Sequence, residues 1–390
     1  MTKIAIIGAN EFQDPLIREA NHRGYETHVF AWKAGDIGER TAQYFYPISI
    51  TEKETILEQC QAIGIDAICS IGSDLAAIAV NYIANRMNLP SNPPETALIA
   101  TNKYEMRKAF QRAKLSSPEF YKADSKFCLE EAADLLSRMK LPLIVKPTDR
   151  SGSRGIQKLD IMDPQMLLRA VRNACSQSFE HAAIIETFLE GEEYSCECMT
   201  NHGCHTLLAI TKKFTTGAPH YIETGHLQPI FFPTEIFSRI KSTVFSGLDA
   251  LHIACGASHS EFKIDSKGSI HLIEIGARMG GDCIGSDLVP LSTGIDFVGQ
   301  VLDTALGLPP SMMIHTSPCN VAIRFIFSQN ALDHMNMLFR QSPELFHRIG
   351  EIHTPTNNMV TDSSTRFGFY ILKSPNQDSL IQLAQLKTCL

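Results

Sequence analysis

The chain is predicted to combine an α/β domain with α+β architecture, and three observations carry that expectation. Short apolar runs alternate with helical patterns through residues 4–87, the signature of a parallel sheet with right-handed crossovers. Pro90, Pro93 and Pro94 then break the pattern, and Pro309-Pro310 breaks it again near the C-terminus. Between the two breaks, from Leu143 to the Ile270 region, strand-like runs dominate and suggest an antiparallel α+β unit.

In the first part, Ile4–Gly8, Glu26–Trp32 and Ala67–Ile71 read as strands. Pro15–Arg23, Glu52–Ile63 and Asp74–Met87 read as helices. This is a Rossmann-like topology. The turn after the first strand is Gly8-Ala9-Asn10, which lacks the Gly-rich dinucleotide fingerprint, so nicotinamide binding is not expected. A further helix is predicted over Asn102–Lys114 with Lys103 in its first turn, followed by a break at Ser116-Ser117-Pro118. After Pro309-Pro310, two strands at Asn320–Ile326 and Gly368–Leu372 mark a small appended module. The expected domains are therefore 1–95, 96–307 and 308–390.

Bulk properties narrow the function. The 390 residues are 44% hydrophobic and 20% charged, ordinary for a globular chain large enough for two or three cores. A formal net charge of −7 gives no reason to expect nucleic acid or an anionic membrane as partner. The apolar run Ile4-Ala5-Ile6-Ile7 is too short for a signal-peptide core, and no run reaches spanning length. The 11 cysteines form no Cys-x-x-Cys pair and read as reduced thiols of a cytoplasmic protein. Cys196 and Cys198 alternate on one strand and share a face.

Three motifs carry chemistry. In Pro142-Leu143-Ile144-Val145-Lys146-Pro147 a strand ends near a lysine, and Ser151-Gly152-Ser153-Arg154-Gly155 follows. Glycines let backbone amides wrap anionic oxygens, and Lys146 supplies a point charge for the same phosphates. A surface hairpin with a solvated basic tip fits the same residues. Next, Glu186-Thr187-Phe188-Leu189-Glu190-Gly191-Glu192-Glu193 links two apolar strands. Such a linker can offer backbone groups to a flat base, with Phe188 and Leu189 covering its face and a later carboxylate on ribose hydroxyls. An acidic surface loop is the plain alternative.

The last motif pairs Glu261 with Glu274 across a β-hairpin turning at Ser266-Lys267-Gly268. A two-residue turn at Ser266-Lys267 places Glu261 opposite Leu272, with Glu274 as its diagonal neighbour on the same face. Carboxylates that close repel unless a cation joins them, and oxygen ligands suit Mg²⁺. Otherwise they are two glutamates on a wet sheet face. A fourth constellation, Lys212-Lys213-Phe214 followed by Pro219-His220-Tyr221-Ile222-Glu223-Thr224-Gly225-His226, is non-helical and does not have the helical zinc motif; substrate contacts, an ordinary polar strand and a zinc site are the readings it allows.

Taken in order and spacing, Lys103, Lys146 with its loop, the Glu186–Glu193 linker and the Glu261/Glu274 hairpin resemble the ATP-grasp superfamily, nearest to L-amino acid ligases and related carboxylate–amine ligases. The resemblance runs from the N-terminus to about residue 305, and Glu274-Ile275-Gly276-Ala277-Arg278-Met279-Gly280-Gly281 is its most specific piece. It implies an ATP-grasp fold: an N-terminal pre-ATP-grasp domain, a central ATP-grasp domain with a lid subdomain at about 115–190, and a C-terminal module.

For function it implies an enzyme using ATP with Mg²⁺ or Mn²⁺ to join a small-molecule carboxylate to an amine, releasing ADP and phosphate. Lys103, Lys146, Ser151, Gly152, Ser153 and Gly155 would bind the ATP phosphates; Glu186, Phe188, Leu189 and Glu193 would bind the nucleoside. Glu261 and Glu274 would hold metal, Arg278 would act in catalysis, and His220, Glu223, His226, Gly280 and Gly281 would contact substrate. Many relatives carry Asn where this chain has Gly276, which leaves the number of Mg²⁺ ions open. Relatives are often dimers, so a homodimer is the expected assembly. Bicarbonate activation, formate-dependent formyl transfer and a non-catalytic nucleotide-binding role stay open as alternatives.

Overall fold

The computed structural model describes residues 1–356 and 359–386. Strands β1 (Lys3–Ile7), β2 (Glu26–Phe30), β3 (Tyr44–Tyr46) and β4 (Ala67–Cys69) form a parallel sheet in the order β3-β2-β1-β4. The continuous apolar character of β1 follows from burial on both faces. Ile4 and Ile6 pack with Phe297 and Leu302 on one side; Ala5 and Ile7 pack with Ile56 and Ile83 on the other. The short strand β3 went unread because it is three residues long and stops before Pro47.

A second, antiparallel sheet contains β5 (Phe120–Asp124), β6 (Leu143–Pro147), β7 (Gln157–Leu159) and β8 (Ala182–Thr187) in the order β5-β8-β6-β7. Helices Leu129–Arg138 and Pro164–Gln177 cover one face, with Leu135, Leu136, Leu167 and Val171 buried against Leu143, Val145 and Ile185.

The largest sheet has eight strands. β9 (Glu192–Asn201), β10 (Cys204–Thr215), β11 (Glu223–Gln228), β12 (Cys255–Ile264) and β13 (Ile270–Gly276) are joined by β14 (Asn320–Phe325), β15 (Phe346–Ile349) and β16 (Phe369–Ser374). The order is β13-β12-β9-β10-β11-β14-β16-β15, so the C-terminal strands extend the same sheet through the β11–β14 pairing. Cys196 and Cys198 do share a face, buried with Phe110, Val244, Leu248 and Phe262.

Two helix starts position functional groups. Asn102 caps helix Lys103–Arg112, its side chain accepting from Tyr104 and Glu105 amides, which fixes Lys103 at the first helical residue. Ser73 caps helix Asp74–Met87 by accepting from the Ala76 amide, which fixes Asp74 in the first turn. Such a cap is worth about 1 kcal/mol. Among the described residues no helix is long and apolar enough to cross a membrane.

Candidate active site

A cleft of about 300 Å³ opens between the β5–β8 sheet and the eight-stranded sheet, and it gathers residues from all parts of the chain. On its floor lies the β12–β13 hairpin. Its loop is longer than the expected two-residue turn: Asp265 pairs with Ser269, the amide of Asp265 donating to the Ser269 carbonyl at 3.0 Å, and Gly268 adopts a left-handed conformation. Ile264 therefore faces Ile270 and Phe262 faces Leu272. A bulge at Ile273 then shifts the register by one, and Glu261 stands directly opposite Glu274. The diagonal arrangement read from the sequence is thus corrected by one loop residue and one bulge.

Both carboxylates are already neutralised in part. Glu261 accepts from Lys213 Nζ at 2.6 Å and from His259 Nε2 at 3.2 Å. Glu274 accepts from Lys103 Nζ at 3.1 Å, and the same ammonium donates to the Arg150 carbonyl at 2.7 Å. Burial disfavours the Glu261 anion, but Lys213 and His259 outweigh it and hold its pKa well below the ordinary range. Lys213 also lies 3.2 Å from Glu193 and 3.6 Å from Glu223, so one buried ammonium sits among three carboxylates. An opposed pair of oxygen donors fits a divalent cation that takes its remaining ligands from phosphates and water. Gly276 contributes no side-chain oxygen, and a side chain there would crowd the Arg278 guanidinium, 3.1 Å from the position a Cβ would take.

Lys146 lines the cleft but pairs with Glu186 at 2.9 Å. Glu186 is fully buried and also accepts from Arg107 Nε at 2.5 Å. Burial pushes its carboxyl up, yet Arg107 and Lys146 prevail and hold it at about 2. The Glu186 side chain is therefore an ionic brace beneath the strand end. Phe188, Leu189 and Glu193 line the cleft after it. The Phe188 amide donates to the Pro142 carbonyl at 2.8 Å, which anchors the linker.

The Gly/Ser loop arches over the same space. Gly152, Ser153 and Gly155 all have positive φ, and Ser153 Oγ donates to the Tyr221 carbonyl at 3.1 Å. Ser151, Gly152 and Ser153 line the cleft. Gly155 does not; it packs behind the loop, where a Cβ would lie 3.0 Å from Pro147 and 3.1 Å from Gln177. The Gly152 carbonyl accepts from the Ser363 amide at 3.2 Å, and Ser363 Oγ donates to Glu223 at 2.9 Å. Arg366 grips Asp282 through two bonds of 2.9 and 2.6 Å and lies 3.7 Å over the Phe325 ring.

Arg278 lines the cleft and is clamped by Asp74 of the N-terminal sheet domain, with Nε and Nη2 donating at 2.7 and 3.2 Å. Its Nη1 donates to the Met279 carbonyl at 3.3 Å. Behind it, buried Glu197 holds His259 Nδ1 and accepts from the Gly280 amide at 2.8 Å. Burial would lower the His259 pKa, but Glu197 and Glu261 raise it to about 9.

Of the expected substrate residues, Glu223, His226 and Gly281 line the cleft. His226 is buried, its Nδ1 without a hydrogen-bond partner among the described residues, and its Nε2 lies 3.6 Å from Asp282. Gly280 packs behind, where a Cβ would collide with Glu197 and His259, and His220 sits outside the lining. The sequence reading singled out Lys213 with the stretch before His226 but gave no role to Asp74, Arg107, His259, Ser363 or Arg366. His259 lies two residues before Glu261 on β12 and shares its face, a signal that was available; Asp74 and Arg366 reach their partners Arg278 and Asp282 only through tertiary folding.

Comparison with known proteins bears on the fold. The ATP-grasp domain family matches residues 139–287. The carbamoyl phosphate synthase large chain of Thermoanaerobacter pseudethanolicus is 20% identical over 70% of this chain, which spans only 24% of that protein. Alanine–anticapsin ligase of Bacillus subtilis is 25% identical over 72% of this chain and 63% of its own length. The crystal structure of an L-amino acid ligase from Bacillus licheniformis superposes with a TM-score of 0.83 at 23% identity, covering 99% of this chain and 96% of that one. The chain therefore adopts the ATP-grasp fold, with an ATP-grasp domain at residues 139–287.

Proposed function

We propose that the chain is an ATP-dependent ligase that activates a small-molecule carboxylate as an acyl phosphate and joins it to an amine, in the manner of an amino acid or dipeptide ligase. The observation that carries this is the convergence of Lys103, Lys146, Lys213, Arg278 and the opposed Glu261/Glu274 pair on one cleft. Cations surround the position of a triphosphate, while two carboxylates keep an oxygen-ligand site for metal.

In this reading, Phe188, Leu189 and Glu193 hold the nucleoside, and Lys103, Lys146 and the amides of Ser151–Ser153 hold the phosphates. Glu261 and Glu274 would bind Mg²⁺, which supplies charge neutralisation on the transferring phosphoryl group. A substrate carboxylate oxygen attacks the γ-phosphorus and the bond to the β-phosphate oxygen breaks, giving acyl phosphate and ADP. The amine nitrogen then attacks the acyl carbon; phosphate leaves, the nitrogen loses a proton, and an amide remains. Arg278 stabilises the phosphoryl oxygens and the tetrahedral oxyanion, with Asp74 fixing its plane. Closure of the Ser151–Gly155 loop keeps water from the acyl phosphate.

His226, Glu223 and Gly281 would contact the carboxylate substrate at the end of the cleft bounded by Asp282. The fold domains expected at 1–95, 96–307 and 308–390 would each contribute, through Asp74, the ATP site and Ser363. The ten described cysteines are all free, which fits the reducing cytoplasm in which we place the enzyme. A homodimer is the proposed assembly. Measuring ADP release with a panel of single amino acids and pairs tests the reading: pairs should stimulate release, and no stimulation by any carboxylate would reject it.

A further inference from the structure

Ile144, Ile156, Phe188, Leu189 and Ile273 line the nucleoside end of the cleft together with the charged Lys146, Glu186 and Glu193. Lys263 stands among them, and Lys158 lies 4.8 Å from the Phe188 ring centroid. Lys263 lies on β12 two residues after Glu261 and therefore points to the same face of the sheet. It is 7% exposed and lines the cleft. Its cross-strand neighbour is Glu193, yet the Glu193 carboxylate is taken by Lys213 at 3.2 Å. Among the described residues the only side-chain hydrogen bond of Lys263 is from Nζ to the Leu189 carbonyl, at 2.9 Å. The ammonium also sits 4.4 Å from the Phe188 ring centroid and 5.9 Å from that of Tyr221.

An ammonium has three donors and no acceptor capacity. One donor here is used on the hinge carbonyl, and ring faces attract the charge without accepting a full hydrogen bond. Two donors thus remain for a ligand in the cleft that Lys263 lines. Their natural complement is a pair of adjacent acceptors on a flat ligand. Guanine presents such a pair, O6 beside N7, and lysine recognises it readily; adenine presents an exocyclic donor beside N7 at the same edge. The long alkyl stem meanwhile can floor the slot as an apolar side chain would.

We infer that Lys263 reads the nucleobase edge and opens this slot to guanine as well as adenine nucleotides. The inference rests on the proposed placement of the nucleotide between the Glu186–Glu193 linker and the β12–β13 hairpin. Leu189 is its second element, because its carbonyl holds the Lys263 ammonium in place at the cleft.

Titration calorimetry with MgADP and MgGDP tests it without any turnover. The wild-type chain should bind GDP within about tenfold of ADP, a difference of about 1.4 kcal/mol or less. Lys263→Met, which keeps the stem and removes the donors, should weaken GDP at least about tenfold while changing ADP less than about threefold, again by the same conversion. Wild-type GDP binding about a hundredfold or more weaker than ADP would overturn the inference, and that arm needs no variant to fold. Equal weakening of both nucleotides in Lys263→Met would also overturn it, making Lys263 a brace for the hinge. Binding of neither nucleotide would instead reject the nucleotide site on which the inference stands.

Discussion

Glu261 and Glu274 face each other directly across the β12–β13 hairpin, and each is held by its own lysine, Lys213 and Lys103. Like charges at that separation are tolerable because two ammonium groups share the cost. A divalent cation binding with a triphosphate would take over part of that role and free the lysines for phosphate oxygens.

Removing one carboxylate tests this pair. Glu274→Gln is nearly isosteric, and Lys103 retains the Arg150 carbonyl, so the fold should persist with an unchanged melting temperature. Turnover should fall about a hundredfold or more, since each ~1.4 kcal/mol of lost transition-state stabilisation is tenfold in rate. Near-normal turnover at limiting Mg²⁺ would reduce the pair to a polar sheet face.

Lys146 is assigned to phosphates even though it rests on Glu186. Lys146→Ala should therefore weaken ATP more than adenosine, as measured by calorimetry. Because Arg107 still pairs with Glu186, the variant should stay folded. Equal loss for both ligands would make Lys146 structural.

The buried Glu186 pair predicts a pH dependence. The carboxyl titrates at about 2 in the folded chain and near its ordinary 4.5 when unfolded. A depressed folded pKa means that its contribution is fully present above 4.5 and is lost as pH falls from 4.5 towards 2. Glu186→Gln leaves Arg107 and Lys146 without their anion and should cost about 3–5 kcal/mol at neutral pH. Its stability should also fall less steeply than wild type between pH 4.5 and 2 in acid unfolding followed by circular dichroism. Parallel acid curves would contradict the assignment of that titration to Glu186.

Much of this architecture was legible because it rests on local patterns. The alternation of Ile4–Gly8 with Pro15–Arg23 and the long helix Asp74–Met87 follow from periodicity, and Asn102 marks its helix start by side-chain chemistry. The carboxylate pair was legible as a pair, but its register was not. Register depended on the three-residue loop ending at left-handed Gly268 and on the bulge at Ile273, neither of which a hydrophobic pattern encodes. Partners distant in sequence were hidden for a different reason. The clamp of Asp74 on Arg278, and that of Arg366 on Asp282, join residues 204 and 84 positions apart, so only the folded chain brings them together.

Arg278 separates a ligase from a nucleotide-binding module. Asp282, four residues on, is taken by Arg366, and Arg278 is clamped by Asp74 instead. Lysine preserves the charge and loses the planar fork that grips Asp74 and, on the proposed mechanism, would hold phosphoryl oxygens as well. Arg278→Lys should keep ATP binding while substrate-dependent ADP formation drops about 10²–10³-fold. An unchanged chemical step in single-turnover measurements would remove Arg278 from the mechanism.

The most direct measurement is the identity of the phosphorus products during turnover with an amino acid pair, followed by ³¹P NMR. Attack of a carboxylate on the γ-phosphorus requires one ADP and one phosphate for each amide formed. Appearance of AMP and pyrophosphate would mean adenylation of the carboxylate, and would contradict the acyl phosphate chemistry assigned to this cleft.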